Sequence, residues 1–176
     1  MSGRMRSLVG AILAAAAILA TAQPCAAQKK DYLSELEADK IRDAETATLR
    51  VKLFLSFAAD RIKKIQYDLE RPARDRRWND RINSLFNAYS GCVDDAADTL
   101  EAAIDKLEDI RPAIKEMDSK AKEFQAYLDK LAEGHPDLAK FKDSLDDAIE
   151  STKDAVKTSE KAAKAASAAP VRRKPS

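Results

Sequence analysis

One histidine, two cysteines and four glycines are all that this 176-residue chain contains of those residue types, and each scarcity closes off a class of protein. A single histidine cannot supply the paired Glu-x-x-His motifs of a helical di-iron centre, nor the His-Glu-x-x-His of a zinc protease. Cysteines at positions 25 and 92 alone make neither a disulfide framework nor a Cys-x-x-Cys pair. The few glycines form no phosphate-cradling loop and no Gly-x-Ser-x-Gly elbow. With six prolines and only 6% aromatic residues, the chain is also short of what a β-sandwich or α/β domain needs. No stretch alternates apolar and polar residues for long enough to make a strand.

Charge is what the chain has in plenty: 35% of its residues are Asp, Glu, Lys or Arg, yet the formal net charge is only +1. A neutral total argues against bulk nucleic-acid binding. The signs are nevertheless segregated. Basic residues dominate from Arg61 to Arg81, and acidic ones from Asp94 to Asp109.

The N-terminus, residues 1–27, reads as a secretory signal peptide. Arg4 and Arg6 form a positive start, Leu8 to Ala20 an apolar run, and Ala20-Thr21-Ala22 or Cys25-Ala26-Ala27 a small-residue cleavage site. An uncleaved anchor is the weaker alternative, because the apolar run falls short of the roughly twenty residues that span a bilayer. Cys25 raises lipidation as a minority alternative, but Pro24 stands where a lipobox has a small residue. The expectation is export across the inner membrane to the periplasm or beyond.

Residues 31–166 are expected to form the folded domain, with a basic tail at 167–176. Ser34-Glu35-Leu36-Glu37 has the form of a capping box, opening a short helix that ends near Ala44. A second helix, from about Thr46 to Leu69, carries Leu49, Leu53, Phe57, Ile62 and Ile65 on one face, broadened by Val51 and Leu55. Arg71-Pro72 ends it. From near Arg74 to Leu107 runs the longest stripe: Trp78, Ile82, Phe86, Tyr89, Val93, Ala96 and Leu100 recur at steps of three and four. That periodicity predicts an amphipathic helix of about thirty residues, roughly 45 Å long, which only other long helices can cover.

Gly91 keeps the phase of this helix, so close approach of another backbone is expected there. At Pro112 the stripe continues in register, which leaves a kinked helix or a break with Asp109 as cap; the break is preferred. Glu133-Gly134-His135-Pro136 is a stop, with Gly134 suited to the left-handed position. A last helix starts near Asp137, with Leu138, Phe141, Leu145, Ile149, Thr152 and Val156 as its stripe. It is expected to fray past Val156 into a disordered alanine-rich end from Ala162. The fold class that follows is all-α: an elongated, largely antiparallel helical bundle of about four long helices plus a short N-terminal one.

Chemistry-bearing constellations are sparse. Arg61, Lys64, Arg74, Arg76, Arg77 and Arg81 are candidates for contact with an anion or a partner, although interleaved Asp68, Asp75 and Asp80 dilute their field. Asp94, Asp98, Glu101, Asp105 and Glu108 form an acidic ridge that reads as a solvated face, lacking the glycine bend of a calcium loop. Cys92 is a candidate free thiol on the apolar side of the long helix. His135 reads as a solvated turn residue, and Trp78 as a core anchor. No metal or cofactor is expected, and no catalytic residue. The function expected is that of an exported, non-catalytic structural or protein-interaction module whose partner is a protein or an envelope component. The alternative is an envelope- or lipid-binding amphipathic protein using the basic cluster and tail. Peripheral membrane contact and self-association are compatible with the pattern, and neither is required by it.

Overall fold

The computed structural model describes residues 32–71, 75–106 and 109–168. Among these lie five α-helices and no strand: α1 (Glu35–Asp43), α2 (Ala47–Glu70), α3 (Trp78–Asp105), α4 (Arg111–Ala132) and α5 (Lys142–Ala168). The fold is an all-α bundle of four long helices preceded by a short one. The leader (1–27), Arg74, Leu107, Glu108 and residues 169–176 of the expected tail lie outside the described residues.

Local chemistry sets most helix ends. The Ser34 hydroxyl accepts the Glu37 N–H at 3.3 Å, while the Glu37 carboxylate accepts the Ser34 N–H at 2.9 Å, completing the capping box. Thr46 caps α2 by accepting the Leu49 N–H. Arg71, ahead of Pro72, is extended and ends α2. The chain breaks at Pro112 rather than kinking, with Pro112 in the first turn of α4, where a missing N–H leaves no bond unmade. Ile110 occupies the N-cap without a side-chain cap bond, so Asp109 does not cap; its carbonyl instead accepts the Thr48 hydroxyl at 3.3 Å. Gly134 does not take the left-handed conformation expected of it. After Ala132 the chain turns through Pro136 into a 3-10 turn at Leu138–Lys140 before α5 begins.

The most extensive contacts pair α2 with α3, α3 with α5 and α4 with α5, followed by α2 with α4. Going round the bundle, the order is α2, α3, α5, α4. Consecutive long helices run antiparallel, but the neighbours α3 and α5 run parallel. Asn83 faces Ser144, Tyr89 faces Thr152, and Glu101 faces Lys161, all in ascending order. The short passage from α3 to α4 therefore crosses the end of the bundle diagonally.

The apolar stripe of α3 fills the centre. Trp78, Ile82, Phe86, Tyr89, Val93, Ala96 and Leu100 are all buried, and Leu85 and Ala97 are partly so. Phe86 stacks on Phe141 at 5.6 Å, and Phe124 meets the Tyr89 ring edge-on at 5.5 Å. The Tyr89 and Thr152 hydroxyls lie 2.6 Å apart, and Thr152 donates onward to the Ala148 carbonyl, so Tyr89 is the donor to Thr152. Both buried polar groups are thereby satisfied within the core.

Three details depart from the periodicity. On α2, Leu49 is 45% exposed, while Val51 and Leu55 are buried and belong to the core. On α5 the buried line is Leu145, Ala148, Thr152, Ala155, Ser159 and Ala162, with Ile149 and Val156 at its margin. The helix does not fray after Val156 but continues to Ala168, because small residues let α5 sit close to its neighbours. At Gly91 the close approach is by an aromatic ring and not a backbone: a Cβ there would lie 2.8 Å from the Tyr32 ring.

Phe86 has no exposed surface, and Phe86→Ala is expected to cost about 3–5 kcal/mol. Asp98→Ala, on the outer face, is expected to change stability by less than about 0.5 kcal/mol. Thermal melts of the two variants measure the contrast directly.

Candidate interaction surface

The basic residues singled out by charge do not form one patch. Arg61 is buried, and its guanidinium grips the Glu37 carboxylate at 2.8 and 2.7 Å while also reaching Asp60 and the Tyr32 carbonyl. Lys64 pairs with Asp60 at 2.7 Å on the surface of α2. Arg81 donates to buried Asp68 at 2.6 Å and to Asp75 at 3.1 Å. Trp78 adds a bond from its indole N–H to the Asp68 carbonyl at 3.0 Å, so the α2–α3 corner is locked by both residues. Trp78 is a core anchor, as the stripe implies. Arg76 and Arg77 remain exposed at that corner, where Arg71 lies 5.1 Å over the exposed ring of Tyr67.

Sequence reading missed the role of Glu37, which serves the capping box and the Arg61 pair with one carboxylate. Residues 24 positions apart give no local signal for such a pair. The Arg61 guanidinium, helped by Ser34, holds the Glu37 carboxyl down at about 2, against an ordinary value of 4.5. This pair, with the Tyr32 ring seated on Gly91, straps α1 across α2 and α3.

Cys92 is fully buried and forms no disulfide, which removes it from contact with another molecule in the folded state. His135 is half-buried. Its Nδ1 accepts the Asp137 N–H at 3.2 Å, and its ring tilts against Phe141 at 5.4 Å.

Two open grooves flank α5. The first, of about 560 Å³, lies between α3 and α5 and is rimmed by Asp94, Asp147, Glu150 and Asp154, with Ser90 and Gly91 in its floor. Parallel packing of α3 and α5 sets the acidic ridge of one beside the acidic row of the other. Burial raises the Asp94 carboxyl above its ordinary value, and the neighbouring charges of Asp98 and Asp154 raise it further against a bond from Ser151. Lys161 spans the two helices to Glu101 at 3.1 Å. No group of three or more His, Cys, Asp or Glu among the described residues is arranged to hold a metal ion. The α3 half of this groove was legible as a ridge; the contribution of α5 was missed, although its acids recur at helical spacing.

The second groove, of about 680 Å³, lies between the start of α4 and the end of α5. Its floor is Ile114, Ala163 and Ala166, and its rim carries Arg111, Lys115, Asp118 and Glu160.

Comparison of the chain with protein-family models, characterised proteins and solved structures gives no match.

Because Glu37 titrates well below the unfolded-state value, its pairing adds stability that is complete above about pH 4.5 and is lost as pH falls towards 2. Glu37→Gln should cost about 1.5–3 kcal/mol near neutrality. The gap between the melting temperatures of variant and parent should close across that acid window, and a pH series of melts tests the sign.

Proposed function

We propose that this protein is an exported, non-catalytic helical-bundle module that holds a partner, a protein or a component of the cell envelope, along the flanks of α5. The observation that carries the reading is where the apolar surface goes. The α3 stripe is consumed inside the monomer, so the fold has no need to open in order to be stable. Recognition then falls to the outer surface, and α5 borders both grooves described above. The acidic groove favours a partner that brings lysines or arginines, since opposite charges steer encounter and set register. Export rests on the leader-like features of residues 1–27. No described helix is long and apolar enough to cross a membrane.

A second reading is favoured by the α2–α3 corner, where Arg71 lies over the exposed ring of Tyr67 and Arg76 and Arg77 are exposed just ahead of α3. An aromatic ring under a guanidinium group suits the interface of an anionic bilayer.

Flotation with anionic liposomes and affinity capture from solubilised cell envelope separate the two. Under the first reading the mature protein does not float. It captures a discrete envelope component, and Glu150→Lys with Asp154→Lys abolishes capture while the melting temperature is kept. Salt-sensitive flotation that disappears in Arg76→Ala with Arg77→Ala would instead make the bilayer the partner.

A further inference from the structure

Where α4 begins and α5 ends, the groove between them leaves apolar surface uncovered. Ala163 is exposed and Ala166 half-buried beside Ile114, while one turn earlier on α5 Ser159 and Ala162 are buried. On the α5 side the floor carries only alanine and serine, so helices of another molecule can come close to it.

The rim above this floor is charged in a definite order. α4 and α5 are antiparallel, so Arg111 stands level with Ser167 at the open end, and Asp118 with Glu160 at the inner end. Seven residues separate Arg111 from Asp118 and Glu160 from Ser167, about 10.5 Å on each helix. Base therefore lies at one end of the groove and acid at the other. Asp118 keeps Lys122 at 2.8 Å in an exposed pair one turn on, of a kind that contributes little. Arg111 and Glu160 are exposed, and neither belongs to a salt bridge among the described residues.

We propose that two copies of this chain pair groove to groove, about a two-fold axis that crosses the groove at the level of Ile114 and Ala163. Such an axis exchanges the ends. Arg111 of each copy comes over the acidic end of the other, facing Asp118 and Glu160, and the two apolar floors meet at the axis. The four helices form a second, smaller bundle in which every neighbour runs antiparallel: α4 on α5 within a copy, and α4 on α4 and α5 on α5 between copies.

The order of charges selects both the axis and the occupant. An axis along the groove would keep like ends together and set Asp118 over Glu160, acid on acid. A chain carrying one sign of charge would suit one end of the groove and oppose the other. A second copy brings both signs at the matching separation. The pairing uses the α4 flank of α5 and leaves the acidic groove on the other flank open, so it does not rest on the partner reading above.

Sedimentation velocity on the mature protein tests the pairing with no partner present. The parent should pass from monomer to dimer as concentration rises, and added salt should weaken the dimer by screening the end charges. Arg111→Glu puts acid at both ends, and Asp118→Arg with Glu160→Arg puts base at both. Each variant alone should dimerise at least about tenfold more weakly. Mixed in equal amounts, the two should form a one-to-one dimer, since each offers what the other lacks. All three positions lie on the groove's rim, so melting temperatures should stay near the parent's. The axis is located by Ala163→Cys, which should give a disulfide-linked dimer on mild oxidation, whereas Asp98→Cys, on the outer face of α3, should not. A parent that stays monomeric up to about 1 mM would overturn the proposal and leave the groove to another occupant. So would variants that dimerise as the parent does, a mixture that stays monomeric, or equal cross-linking at positions 163 and 98.

Discussion

The break at Pro112 is the constraint on which the arrangement of helices depends. The apolar phase of α3 runs on through α4, so by pattern alone the two could form one continuous rod. A proline inside that rod would lose a backbone bond and press its ring against the carbonyl four residues earlier. The chain turns instead, and the turn is short. It carries α4 across the end of the bundle to the corner diagonal to α3, beside the start of α2, where Thr48 meets the Asp109 carbonyl. α5 is then left to fill the remaining corner parallel to α3.

That parallel neighbour explains both the strength and the stress of the structure. It brings Phe141 onto Phe86 and Thr152 onto Tyr89, joining the core of α5 to that of α3 through stacking and a buried hydroxyl pair. The same alignment places two acidic rows side by side, where loss of water first, and then the charges of Asp98 and Asp154, raise the carboxyl of Asp94. Elsewhere the surface is neutralised locally, by pairs one helical turn apart such as Lys122 with Asp118 and Lys157 with Asp154. Exposed pairs of this kind contribute little individually, so stability rests on the packed interior.

Helix type and much of the core could be read from spacing, because burial on one side of a helix writes a period of three and four into the chain. The capping box at Ser34 and the stop before Pro72 were legible for a related reason: the chemistry of a helix end lies within a few residues of it. What escaped depended on distant partners. Leu49 looks as apolar as Val51, and only the position of neighbouring helices leaves it in water. Ser159 and Ala162 look like a fading seam until α5 is seen close against its neighbours. Arg61 and Arg81 read as open positive charge because Glu37 and Asp68 meet them through the fold. The two grooves lie between helices, so no single stretch of sequence could display them.

The seat of Tyr32 on Gly91 also has a mechanical meaning. Gly91 lies at the middle of α3, so the strap crosses the bundle at its flank and not at an end. Tension applied through the strap would load the Arg61–Glu37 clamp sideways before it reached the core. α1 would peel away first, and the four long helices would bear load only afterwards.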